Sequence, residues 1–234
     1  MRRSGVRFPE AAPAPPVTRV ALPGAGVDYE VDWGRAVVTD AARDPMSMPD
    51  DLPRPQDDGT AAHLPGRAMP TLTLPATTGE RLPVDRPPLG FESLVLYAYP
   101  RTGRPGEPPL TPDWDLIPGA RGCTPESCSF RDHARELGAL GAAVRGVSTQ
   151  DTDYQQEAAA RMHLPFPLLS DADLELARAL DLPTMTIAGQ VLLKRLTLVV
   201  RDGVIARAFY PVFPPHEHAD HVLAWLRDHP GRAA

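Results

Sequence analysis

This chain has little cysteine and almost no lysine, and it has no long apolar run. Two of its 234 residues are cysteine, Cys123 and Cys128. That is too few for the disulfide framework of a small secreted domain, and a chain of this length buries enough surface to fold without a bridge. One lysine, Lys194, stands against 23 arginines. With the excess of alanine and proline, this reads as the product of a GC-rich genome. The net charge of −6, with both signs mixed along the chain, excludes nucleic acid or an anionic membrane surface as the main partner. No stretch approaches the roughly 20 apolar residues of a membrane span. The first residues, MRRSGVRFPEAAPAPP, carry arginines but no apolar core of a secretory signal. The expectation is a soluble, cytoplasmic protein. In such a reducing compartment a close cysteine pair is more often catalytic, redox-active or metal-binding than a permanent bridge.

Proline is unevenly spread, with 21 of the 29 falling in residues 1–120. Residues 1–64 read as a disordered or loosely ordered extension, and 1–45 as sequence outside the native protein, with Met46 or Met48 as the start. The domain is expected over 65–230. Thr71–Leu74 alternates as a strand does, Ala76–Gly79 turns, and Glu80–Val84 returns. Ser93–Tyr99 is a short apolar run ended by Pro100, as in a buried central strand. Residues 101–120 form a long Pro/Gly-rich loop. Phe130, Ala134, Leu137 and Leu140 share a helical face. Beyond them come a strand at Ala143–Ser148, a helix at Thr152–His163 started by Asp151, a strand at Leu168–Ser170 and a helix at Ala172–Leu180. Arg201-Asp202-Gly203 joins two apolar runs as a hairpin, and Ala219, Val222, Leu223 and Leu226 stripe a last helix. This order predicts an α/β fold of the thioredoxin-like kind, a central mixed sheet flanked by helices, parallel in the middle with an antiparallel edge pair.

The stretch Gly122-Cys123-Thr124-Pro125-Glu126-Ser127-Cys128 lies where a helix begins. A thiol in the first turn faces unsatisfied N–H groups and the positive end of the helix dipole. Its polar flanks predict an exposed helix start, with the Cys123 pKa below the ordinary ~8.5 and Arg121 and Arg131 adding charge. In one unbroken helix the two Cα atoms lie roughly 8–9 Å apart, beyond the ~7 Å limit for a disulfide. The pair therefore oxidises only if the first turns unwind. One cycle consistent with this is attack by Cys123 on a substrate oxygen, a sulfenic acid, then condensation with Cys128. Zinc would need more ligands. His133 is near, but His216, His218 and His221 do not share a helical face and read as a solvated polar segment.

The run from Gly122 to Asp132, GCTPESCSFRD, resembles the G-C-T-x-E-x-C-x-F-R-D segment of the bacterioferritin-comigratory, or Q-type, peroxiredoxins. Met69–Pro75, Leu94–Pro100 and Arg195–Gly203 are similar to that family's first strand, its strand ending in Tyr-Pro, and its R-x-T hairpin, so the resemblance covers roughly residues 65–228. It implies a thiol-dependent peroxidase acting on hydrogen peroxide or organic hydroperoxides. Cys123 is then peroxidatic, Cys128 resolving through an intramolecular disulfide, and Arg195 the activator of thiolate and peroxide. Glu126 orders the loop, with Arg131 as its possible orienting partner. A thioredoxin-like dithiol regenerates the enzyme, with no cofactor and no metal. The family places a Thr three residues before the cysteine. Here that position is Ala120, and Thr102, Thr111 or Thr124 is left as a substitute. The long loop is an insertion in which Trp114 either caps the site or packs within the loop. Two alternatives stay open: a thiol–disulfide oxidoreductase acting on proteins, and a non-catalytic redox sensor on the same fold.

Overall fold

The computed structural model describes residue 48 and residues 52–231, together with two short strands near the N-terminus. Those two, β1 (Thr18–Val20) and β2 (Tyr29–Val31), pair antiparallel and form a unit of their own. The expectation that residues 1–45 are not native falls almost wholly outside the described residues.

The first strands of the larger unit form a small hairpin, β3 (Thr73–Pro75) with β4 (Arg81–Pro83). β5 (Ser93–Ala98) follows and is buried along its whole length. Its side chains alternate between two cores, as a period of two requires. Leu94, Leu96 and Ala98 join one apolar cluster; Val95 and Tyr97, with Tyr99 just beyond the strand, join the other. Both faces of the sheet are therefore covered, which explains the unbroken apolar run.

The remaining elements are α1 (Cys123–Asp132), α2 (Ala134–Ala139), β6 (Ala142–Ser148), α3 (Thr152–Arg161), β7 (Leu168–Ser170), α4 (Glu175–Leu180), the hairpin β8 (Thr184–Ile187) with β9 (Gln190–Leu193), the hairpin β10 (Leu196–Arg201) with β11 (Val204–Phe209), and α5 (His218–Asp228). The five-stranded sheet runs β11-β10-β5-β6-β7. β5, β6 and β7 are parallel, and β10 and β11 are antiparallel at one side. The sequence predicted this arrangement. It did not predict β8 and β9, whose turn at Ala188-Gly189 lies between two strands with exposed positions.

One face of the sheet is covered by the β3–β4 hairpin and α4, together with Ala61 and Leu64, both buried upstream of residue 65. On the other face Phe130 and Leu137, from α1 and α2, meet Val222, Leu223 and Leu226 from α5. The helical stripe read from Phe130 to Leu140 is real, but it bends: His133 lies between α1 and α2 and its N–H is bonded back to Ser129. Asp151 caps α3 by accepting from the Tyr154 N–H at 2.7 Å, worth about 1 kcal/mol. Among the described residues no helix is long and apolar enough to cross a membrane.

Candidate active site

β5 positions α1. The Tyr97 ring stacks on Phe130 at 4.6 Å between centroids, and the Tyr97 hydroxyl donates to Ser127 Oγ at 3.1 Å. Burying an aromatic such as Phe130 stabilises by about 1.5–3 kcal/mol, so α1 is pinned from its middle. Its first turn is set by Gly122, which caps the helix at φ 103°. A Cβ there would collide with Pro215 and lie 3.2 Å from Met48 Sδ. Cys123 and Cys128 then fall on one continuous helix with no disulfide between them. This fits the sequence expectation that bridging them requires unwinding.

The expected exposed helix start is not what forms. Cys123 is only 3% exposed, because it packs in the apolar cluster of β5, α1 and α5 rather than facing solvent. Its thiol donates to the Ala120 carbonyl at 3.6 Å. Burial pushes the Cys123 pKa up; Arg195 pulls it down, the Glu126 carboxylate pushes it up, and the Arg101 N–H pulls it down. The predicted depression of the pKa is thus reversed, since desolvation disfavours the charged form more than the nearby charge favours it. Cys128 is buried beside Ala158 and Met162, and burial raises its thiol pKa too, against Arg131.

Arg195 directly precedes β10 and is 3% exposed, so it is not a surface arginine. Its Nη2 donates to Cys123 Sγ at 3.2 Å and to the Arg121 carbonyl at 3.0 Å, and reaches the Gly119 carbonyl at 3.4 Å. Its Nη1 donates to Glu126 Oε2. Burial pushes the Glu126 carboxyl up to about 7 against the opposing charge and hydrogen bond of Arg195. The structure brings together Cys123, Glu126 and Arg195. Arg131 does not orient Glu126: it bonds Asp132 and the Met162 carbonyl instead. Arg195 Nε and Glu126 Oε1 are buried with no hydrogen-bond partner. Buried polar atoms without a partner are uncommon in folded proteins, and these two belong to the residues that contact the thiol and the guanidinium.

Ala120 is fully buried in an apolar cluster with Trp114, Ile187 and Leu192. The insertion therefore packs on the β8–β9 hairpin, and Trp114 serves that packing. The Thr102 hydroxyl is committed to Gln150 Oε1 at 3.1 Å. The donors at the sulfur are the Arg195 guanidinium and the Arg101 N–H. The histidine segment corrects a second expectation. His218 is buried, with Nε2 2.8 Å from Thr197 Oγ1, because α5 turns this residue onto the sheet. Among the described residues no cluster of His, Cys, Asp and Glu forms a metal site. Gln150 and Gln155 are buried polar residues that the sequence reading passed over. Gln155 accepts from the Tyr99 hydroxyl at 2.8 Å. Nothing in the Gln155-Gln156 pair on a helix signals which one is buried.

A cysteine opening a helix on the covered face of this sheet, gripped by an arginine from a neighbouring strand start, marks a thioredoxin-fold thiol protein. Within that class the chain belongs to the Redoxin family, whose model matches residues 64–223. It is 27% identical over 162 residues to peroxiredoxin Q, chloroplastic, of Arabidopsis thaliana, covering 69% of this chain and 66% of that one. It is 34% identical over 108 residues to putative peroxiredoxin bcp of Coxiella burnetii, covering 46% of this chain and 60% of that one. The matched region thus spans about two thirds or less of these curated relatives. Among solved structures, peroxidoxin BcpB of Mycobacterium tuberculosis superposes with a TM-score of 0.57 at 27% identity, covering 72% of this chain and all of that one. The bacterioferritin comigratory protein of Xanthomonas campestris, studied for alkyl peroxide reduction, gives 0.52 at 26% identity, covering 76% and 99%.

Proposed function

We propose that this protein is a thiol-dependent peroxidase. The observation that carries the reading is Arg195 Nη2 at 3.2 Å from Cys123 Sγ, inside a buried site at a helix start. The Cys123 thiolate attacks the terminal peroxide oxygen. The S–O bond forms as the O–O bond breaks, and water or an alcohol leaves after taking one proton. The guanidinium and the first-turn N–H groups stabilise the sulfur charge and then the leaving oxygen. Glu126 holds the guanidinium in place through a charge-assisted bond.

The sulfenic acid on Cys123 then condenses with the Cys128 thiol, releasing water, once the start of α1 unwinds. An external dithiol of the thioredoxin kind reduces the bridge by exchange and is itself oxidised to a disulfide. The cycle belongs in a reducing compartment; we read this as the cytoplasm. Support comes from the peroxiredoxin relatives and from the alkyl peroxide reduction studied in the Xanthomonas protein.

The test is stopped-flow peroxide consumption with a dithiol reductant. Cys123→Ser abolishes it, and Cys128→Ser keeps the first turnover but loses thioredoxin-coupled recycling. Full peroxide loss in Cys123→Ser would overturn the assignment. One observation favours a second reading, a redox sensor: the thiol is buried and its pKa raised. A sensor would form the bridge reversibly but consume peroxide slowly in the same assay.

A further inference from the structure

The segment Leu52–Asp58 packs against residues that flank this site. With Ile117, Gly119, Arg121, Val212, Phe213 and Pro215, Leu52 and Pro53 line a crevice that reaches Arg195. Its volume is about 10 Å³, close to the least that holds one ordered water. Its lining mixes apolar side chains with two arginines, Arg121 and Arg195, and Arg195 is the one that touches the sulfur.

The segment is held at several points. The Arg54 guanidinium stacks over the Phe213 ring at 5.2 Å, and Pro55 packs beside Gly119. Asp58 accepts from Lys194 Nζ at 2.6 Å, from the Tyr210 hydroxyl at 2.9 Å and from the Thr60 hydroxyl at 2.6 Å. An exposed ion pair alone is worth little. Three side-chain donors on one carboxylate, next to a ring contact, fix the strap in register.

We infer that Leu52 and Pro53 determine specificity: pressed down by the Arg54–Phe213 and Asp58–Lys194 contacts, they admit hydrogen peroxide to Arg195 and shut out hydroperoxides that carry a bulky organic group. The inference rests on the peroxidase reading and adds the size class of its substrate. Hydrogen peroxide has two heavy atoms and needs little widening of the crevice. An aryl or long alkyl group needs the strap displaced.

The experiment compares full-length wild type, Leu52→Ala and Asp58→Ala with hydrogen peroxide and cumene hydroperoxide by stopped flow. The wild type is expected to favour hydrogen peroxide. Both variants raise kcat/KM for cumene hydroperoxide by roughly tenfold, the size of a shape-based discrimination, and leave that for hydrogen peroxide unchanged. A wild type that prefers cumene hydroperoxide, or a ratio equal in all three proteins, overturns the inference. A second measurement needs no peroxidase activity. In a Cys128→Ser background, Cys123 is alkylated with iodoacetamide or N-phenylmaleimide and followed by mass spectrometry. Leu52→Ala should speed only the larger reagent; equal effects on both overturn the gate. No reaction with either peroxide alongside size-selective alkylation sinks the peroxidase reading and supports the gate.

Discussion

At Arg195 one guanidinium faces a sulfur, a carboxylate and two carbonyls, and no other residue type fits that set. Lysine would bring the charge but not the planar fork that reaches Glu126 and Cys123 together. Arg195→Lys is therefore expected to slow peroxide reduction by about 10²–10³-fold, the usual cost of one oriented donor. It should also move the ionisation of Cys123 to higher pH, since the charge opposing desolvation is less well placed. The pH dependence of Cys123 alkylation in a Cys128→Ser background checks this, and an unmoved midpoint would assign the arginine to packing alone. The cysteine, the arginine and Glu126 were singled out by the resemblance to a peroxiredoxin motif, and the structure brings them into contact. The direction of the thiol's pKa shift was not legible in the sequence. A helix start seen in sequence shows its dipole but not what packs against it, and here burial in the core decides the sign.

At the scale of the element, α1 depends on the turn that launches it. Gly122 has a positive φ and no room for a Cβ against Pro215. Pro215 in turn opens the short 3-10 turn that leads into α5. Gly122→Ala is expected to destabilise the fold by roughly 1–3 kcal/mol, measured by urea denaturation. A variant of unchanged stability would mean that the turn is not under this constraint. The strong elements of the fold were readable from pattern. The unbroken apolar run of β5, the Asp-Gly turn joining β10 to β11 and the helical stripe of α5 are each local signals that survive in sequence. The β8–β9 hairpin was not readable. Its outward positions are mixed, and its inner residues, Ile187 and Leu192, pack on Trp114 and Ala120 in an insertion distant in sequence.

At the scale of the whole molecule, His218 ties α5 to the sheet through Thr197 and stands edge-on to Phe130 and Phe209. Burial lowers its pKa from the ordinary 6.5 to about 3. As pH falls below 6.5, the unfolded chain takes up a proton that the folded chain refuses, so stability is lost over the window from about 6.5 down to about 3. His218→Gln keeps a hydrogen-bonding group and removes the titration. Its unfolding free energy should fall less steeply over that window than the wild type's, as followed by urea unfolding at successive pH values. Parallel slopes would show that the ring titrates normally. The strap over the crevice carries its own consequence. Lys194, which grips Asp58 from outside, is the chain neighbour of Arg195, which grips the sulfur from within. If the strap gates the site as inferred, only one peptide separates the contact that holds it from the contact that holds the sulfur, and Asp58→Ala should then also change the pH dependence of Cys123 alkylation.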